Sequence, residues 1–198
     1  MGKLLLAVLI GLVGAAVIHI AIVFAIPGQA ENDAWSRLSR LGPIFSVVRI
    51  EGDPIGAAAA PEPRPADFVF VDPAFIAAAC RFTTEAGPVR LYAEAETSFW
   101  TASIYGANGD NLYSISERVA LDGRLDLLVG TREQLDLARV EGSAADPQSI
   151  PVELPVSEGY LTVRALVGAQ SERPFVDRFA RSLQCRPATS DESGQPAN

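Results

Sequence analysis

Ser98–Ser116, SFWTASIYGANGDNLYSIS, sets two β-rich runs on either side of Asn108-Gly109, the pair most favoured in a type I′ hairpin turn, where both central residues need positive φ. With those two as the turn, Ile104 faces Tyr113, Ala102 faces Ile115 and Trp100 faces Glu117. Side chains alternate across a strand, so this register gathers one largely apolar face. The other face carries Phe99, Thr101, Ser103, Tyr105, Leu112, Ser114 and Ser116, an aromatic rim around hydroxyls. It reads either as a polar binding surface or as the wetted side of an antiparallel sheet.

The segments around the hairpin extend the β pattern. Phe45–Ile50, Leu125–Val129, Val152–Leu154 and Gly159–Val167 read as strands, and Asp67–Asp72 as a short buried one. Phe82–Thr84 and Val89–Ala93, separated by Glu85-Ala86-Gly87, are expected to pair as a second hairpin. Three helical pieces intervene. Asp72-Pro73 starts a helical turn over Pro73–Ala79 that delivers Cys80. Thr131-Arg132-Glu133-Gln134 matches a capping box and opens a helix to about Arg139. Ser171–Cys185 sets Phe175, Val176, Phe179 and Leu183 at helical spacing, an apolar stripe for packing on the sheet. The expected fold is therefore α+β and mainly antiparallel β, a sandwich-like sheet with flanking helices over residues 45–186. Gly52–Pro65 is a loop, and residues 187–198 form a short polar tail expected to be disordered.

Ahead of this domain, Leu4–Ile26 (LLLAVLIGLVGAAVIHIAIVFAI) is an uncharged run of 23 residues. At about 1.5 Å per residue it reaches about 34 Å, enough to cross a hydrocarbon core of about 30 Å. The rival reading is a cleavable signal peptide, with small residues at Gly28-Gln29-Ala30, although a signal's apolar region is typically about 7 to 15 residues. Residues 1–26 are thus taken as a transmembrane anchor ended by Pro27-Gly28, and 27–44 as a juxtamembrane segment. Within that segment Asn32 or Asp33 caps a short amphipathic helix to about Leu41, and Trp35 lies either at headgroup level or in the core. Positive charge near the two membrane ends is nearly balanced, Lys3 against Arg37 and Arg40. The short N-terminal tail and the cysteines favour the N-terminus inside and the domain in the periplasm, on the inner membrane of a bacterium.

Cys80 and Cys185 are the only cysteines, and 105 residues separate them. On the exported side of a membrane an even count favours a disulfide, with two buried free thiols as the other reading. Closing so long a loop is worth roughly 4.7 kcal/mol by chain-entropy reasoning.

Composition narrows the chemistry. Every Lys and His in the chain lies in the apolar run or before it. The domain therefore cannot build Ser-His-Asp or Cys-His sites, Schiff-base or phosphate-loop lysines, or His-containing zinc sites. No metal and no cofactor is expected. Removing Lys3 from the formal charge of −8 leaves −9 outside, which disfavours both nucleic acid and an anionic-lipid surface as partners of the domain. Carboxylate chemistry survives, with Asp110, Glu117, Asp122, Asp126 or Asp136 as nominal acids, but no pair stands out among the 24 acidic residues.

His19 is the one titratable side chain within the apolar run, and Gly11, Gly14 and Ala15 supply small residues one turn apart. Such residues permit close packing against a second helix, with the imidazole as a hydrogen-bonding group.

AACRFTTEAGPV at Ala78–Val89, followed by SFWTASIYGANGDNLYSI at Ser98–Ile115, resembles the paired bacterial families known as domains of unknown function 1254 and 1214. The shared pattern is an apolar residue and Arg-Phe before a Gly-Pro-Val turn, then two aromatic strands around a turn with Asn or Gly. The order of elements matches from about Leu4 to Cys185. The resemblance implies a β-sandwich-like envelope domain and a companion protein of the sister family. It transfers no catalytic residue.

The expected function is a non-catalytic, single-pass envelope protein that assembles with that companion, with contacts sought at Trp35, Arg37 and the Gly11 face. A second possibility is a small-ligand or lipid-binding module with Trp100, Tyr113 and Phe175 lining a pocket between sheet and helix. A carboxylate-dependent hydrolase is the third.

Overall fold

The computed structural model describes residues 2–29, 34–50, 72–141 and 149–188. The expected strand at Asp67–Asp72 apart from Asp72 itself, the loop at Gly52–Pro65, the caps at Asn32 and Asp33 and most of the C-terminal tail lie outside those residues.

Two sheets, each hydrogen-bonded within itself, enclose the core. The larger has the order β1-β2-β8-β4-β5, built from β1 (Val47–Ile50), β2 (Phe75–Thr83), β4 (Trp100–Gly106), β5 (Asn111–Ser116) and β8 (Glu158–Leu166). Its pairs are all antiparallel. The smaller has the order β7-β6-β3-β9, from β3 (Val89–Ala93), β6 (Asp126–Gly130), β7 (Ile150–Glu153) and β9 (Leu183–Pro187). Only β6 and β7 run parallel there, joined through helix α3 (Arg132–Glu141) as a parallel pair requires.

Ile76, Phe82, Trp100, Ile104 and Leu161 from the larger sheet meet Val89, Leu91, Leu127 and Val129 from the smaller in one buried cluster. Helix α4 (Arg173–Arg181) inserts Val176, Phe179 and Ala180 into it. On the outer side of the smaller sheet, Leu135 and Ala138 of α3 cover Leu128. On the outer side of the larger sheet, Leu38 of helix α2 (Ala34–Leu41) covers Ala79 and Tyr160. Helix α1 (Gly2–Gln29) precedes this domain, and its Gly2–Ala25 stretch is long and apolar enough to cross a membrane, with none of it buried. It continues past the expected break at Pro27-Gly28. A proline in a helix's last turn removes one hydrogen bond without forbidding the turn.

The Asn108-Gly109 hairpin forms with the expected register, Ile104 opposite Tyr113 and Ala102 opposite Ile115, by a different turn. Gly109 has φ +87° while Asn108 is not among the positive-φ residues, so a type I′ turn is excluded. Gly109 N–H donates to Gly106 O and Gly106 N–H to Asp110 O, both at 2.9 Å, which makes a three-residue loop. An irregularity between Ile104 and Tyr105 absorbs the extra residue, and Leu112 packs against the core instead of lying on the hydroxyl face.

Three expectations are corrected. Pro73–Ala79 is not helical: Asp72 Oδ1 accepts the Ala74 N–H at 3.0 Å in a short turn, and the chain then enters β2 between β1 and β8. Ala78 faces the core and Ala79 lies under Leu38. The alanines are there because both faces of this central strand are covered at close range, which overrides their helix propensity. The second correction separates Phe82–Thr84 from Val89–Ala93, which lie in different sheets. Buried Thr84 sits at that corner, its N–H donating to Ser157 O at 2.8 Å and its carbonyl accepting from Gln134 Nε2 at 2.6 Å. Third, the C-terminal helix stops at Arg181, and Leu183 and Cys185 belong to β9. The apolar spacing ran across a helix–strand boundary, with Ser182 capping the last turn through Phe179 O at 2.8 Å.

Cys80 on β2 and Cys185 on β9 form a disulfide with Cα atoms 6.5 Å apart. It ties the two sheets together through the core, where both residues are buried.

Candidate functional site

The outer face of the larger sheet concentrates the polar features of the domain. Strand registry sets three central rows across it, between Phe75 opposite Leu166 at one edge and Thr83 opposite the exposed Glu158 at the other. Ala77, Arg164, Thr101 and Ser116 form one, and Ala79, Thr162, Ser103 and Ser114 the next. Arg81, Tyr160, Tyr105 and Asn111 form the third. No carboxylate stands in these rows. Ser103 Oγ and Ser114 Oγ are 2.9 Å apart, and Asn111 Nδ2 donates to Ser114 Oγ at 3.1 Å. The Tyr105 and Tyr160 rings stack at 5.1 Å with 12° between their planes. Arg164 lies over the Phe75 ring at 4.4 Å, with Asp72 Oδ2 3.7 Å from its Nη2.

Helix α2 occupies the β1–β2 side of this face. Trp35, half-buried, lies beneath the Arg81 guanidinium, 4.9 Å from its ring centroid, and Arg81 Nη2 donates to Gly42 O at 3.0 Å. Leaving α2, the chain crosses to the core side through Phe45, whose φ of +66° is unusual for a bulky residue. Its N–H donates to Arg81 O at 2.8 Å and its side chain packs against the core. The strained turn thus joins a helix on one face of the sheet to a side chain on the other.

The hairpin half of this surface, Thr101, Ser103, Tyr105, Ser114 and Ser116, was legible from strand alternation. Its other half was missed. Tyr160, Thr162 and Arg164 alternate with Leu161, Val163 and Ala165 along β8, a signal present in the sequence, but only pairing with β4 shows which face they share.

The remaining expected site residues are dispersed. Trp100 is 1% exposed and donates from Nε1 to Gly123 O at 2.9 Å. Tyr113 is half-buried against the core, while Phe175 is 60% exposed on the outward side of α4. The α4 side chain that reaches Trp100 is Phe179. Gly11, Gly14, Ala15 and His19 are exposed on α1, and beyond the local helix backbone nothing lies within 4 Å of where a side chain on either glycine would start.

Of the nominal acids, Asp126, Asp110 and Asp136 engage neighbouring side chains, whereas Glu117 Oε2 is buried with no hydrogen-bond partner among the described residues. Asp126 accepts from Arg90 Nε at 3.0 Å, Arg90 Nη2 at 2.6 Å and Ser149 Oγ at 2.8 Å. Asp110 holds the hairpin loop through Asn108 Nδ2 at 2.8 Å, and Asp122 sits in a tight turn at φ +52°. Asp136 lies 3.7 Å from Arg139, and Glu117 3.4 Å from Arg118. Among the described residues, no three His, Cys, Asp or Glu side chains are grouped to hold a metal ion.

No family model and no curated protein matches the chain. Solved structures do. The VPA0106 protein from Vibrio parahaemolyticus is similar at 10% identity with a TM-score of 0.48, over 65% of this chain and 32% of that one. A putative uncharacterized protein from Burkholderia cenocepacia is similar at 11% identity with a TM-score of 0.38, over 65% of this chain and 33% of that one. The matched part spans about a third of those chains.

Proposed function

We propose that this chain is a non-catalytic, single-pass protein of a bacterial inner membrane, N-terminus inside, whose periplasmic β domain is held in an assembly with a second membrane protein. The observation that carries the reading is a row of small residues and one imidazole along α1. Gly11, Ala15 and His19 fall at i, i+4 and i+8, on one side of a helix whose apolar stretch is not buried against its own domain. An imidazole at that depth in a bilayer needs a hydrogen-bonding partner, and the adjacent small residues let another helix come close enough to supply it. The Cys80–Cys185 disulfide supports an oxidising compartment for the domain. The partner favoured by the sequence resemblance is the sister-family membrane protein.

The test is native mass spectrometry of the full-length protein, gently extracted from its own membranes through an affinity tag. The reading expects a co-purifying membrane protein in stoichiometric amount, lost in His19→Leu and in Gly11→Leu while the β domain's melting temperature is unchanged. A bare monomer would overturn it. A discrete added mass in the lipid or small-ligand range, retained in both variants, would replace it with the ligand-binding reading.

A further inference from the structure

We infer that the outer face of the larger sheet rests on the phospholipid headgroups of the membrane that anchors the chain. The inference depends on α1 spanning that membrane, and chain geometry supplies its first step. Helix α1 ends at Gln29 and α2 begins at Ala34, so five Cα–Cα steps join them, a reach of at most about 18 Å. Helix α1 has 28 residues, about 42 Å of helix, which matches a bilayer of about 40–45 Å with its headgroups and puts Gln29 at the membrane surface.

Helix α2 does not swing freely on that tether. Leu38 is 2% exposed beneath it, Trp35 is clamped under Arg81, and the following Gly42 carbonyl is held by the same guanidinium. The tether therefore attaches to a fixed place on one face of the domain. The start of α2, and so the point where this face is tethered, lies within about 18 Å of the membrane surface. The opposite face, carrying α3, is farther away by a sheet spacing of about 10 Å and a helix layer of about 10 Å.

Chemistry points the same way. The domain is strongly acidic, yet α2 carries Arg37 and Arg40 with no acidic residue. The rows beyond it present Thr101, Ser114 and Thr162 hydroxyls, and the carboxylates of this face stand at its edges, Glu158 opposite Thr83 and Asp72 beside Arg164. Anionic phosphates repel acidic surfaces and attract basic segments by about 1 kcal/mol per Arg near the surface. Hydroxyl and guanidinium donors also match the phosphate and ester acceptors of a headgroup layer. The face nearest the bilayer is the one whose approach costs least.

The experiment places one spin label per molecule in the full-length protein, one copy per nanodisc of phosphatidylethanolamine and phosphatidylglycerol. The positions are Ser114→Cys on the proposed face, Leu137→Cys on the exposed side of α3 and Val13→Cys within α1. The native disulfide is buried, so the new thiol is the one labelled. The readout is collision with a water-soluble nickel chelate. The expected result is a label at Ser114 severalfold less accessible in the disc than in detergent, with Leu137 unchanged and Val13 shielded. Shielding at Val13 with Ser114 as open as Leu137 would overturn the orientation and leave the anchor standing. An open Val13 would overturn the anchor itself. Because the Ser114 hydroxyl bonds to Ser103 and Asn111, Asn111→Cys repeats the measurement from the same face, and an open label there counts equally against the inference.

Discussion

Phe179 of α4 stacks on Trp100 of β4, with ring centroids 6.5 Å apart and 21° between the planes. Both are 1% exposed, and the contact draws α4 onto the core between the two sheets. Four residues earlier on the same helix, Phe175 points outward at 60% exposure. Truncating a buried Phe costs about 3–5 kcal/mol through lost transfer energy and the cavity left behind, whereas an exposed substitution stays within about 0.5 kcal/mol. Phe179→Ala is therefore expected to lower the urea midpoint strongly and Phe175→Ala hardly at all. Equal effects would mean that α4 does not hold this orientation.

The disulfide joins strands from different sheets at a point where Cys80 is 2% and Cys185 5% exposed. A reductant has no path to either sulfur while the sheets are closed. Under native conditions the bond is expected to survive dithiothreitol and to be reduced only as fast as the domain opens, which gel-shift trapping of thiols would follow. Cys80→Ser with Cys185→Ser should cost roughly 2–5 kcal/mol, through a less constrained unfolded chain. Rapid reduction without unfolding would place the bond nearer the surface.

What the sequence disclosed follows the range over which its signals act. The Asn108-Gly109 hairpin and the Thr131–Gln134 cap depend on residues a few positions apart, and both formed. Failures came where distant contacts decided. Ala77–Ala79 read as helix because alanine favours it, but β1, β8 and Leu38 of α2 surround that segment. The expected turn after Thr84 forms, its carbonyl accepting the Gly87 N–H at 3.2 Å, yet Ser157 and Gln134 also bind Thr84 from far along the chain and the flanking segments enter different sheets. The candidate surface was half legible for the same reason: alternation sorts side chains within a strand, and only the β4–β8 pairing joins Thr162 to Ser103.

Gln134 serves the cap and the core together. Its Oε1 accepts the Thr131 N–H at 3.0 Å, its own N–H donates to Thr131 Oγ1 at 3.3 Å, and its Nε2 donates to the carbonyl of buried Thr84 at 2.6 Å. Thr131→Ala removes one cap acceptor, at a typical cost of about 1 kcal/mol. Gln134→Ala removes the acceptor of the Thr131 N–H and also the shorter of two hydrogen bonds to the Thr84 carbonyl, which keeps the Gly87 N–H at 3.2 Å, so it adds about 1 kcal/mol for the lost bond. Chemical denaturation should rank Gln134→Ala clearly below Thr131→Ala. The reverse order would show that water replaces the Gln134 amide at no cost.

Asp177 gives the domain an acid-sensitive clasp between α4 and β1. Arg49 Nη2 donates to its Oδ1 at 2.8 Å and holds the carboxyl below its ordinary value; partial desolvation opposes this, and Arg181 Nη2, 2.8 Å from Oδ2, adds to it. A carboxylate whose pKa is lower folded than unfolded contributes its full stabilisation above the unfolded value of about 3.9, and loses it as pH falls through the folded value. The loss therefore lies on the acid side, while the pH range around neutrality is flat for this group. Asp177→Asn is expected to lower the melting temperature at pH 7 and to narrow its gap from the wild type progressively below about pH 4. Melting curves between pH 7 and pH 2.5 would read the convergence directly, and a gap that stays constant to the lowest pH would assign the effect of the substitution to packing rather than charge.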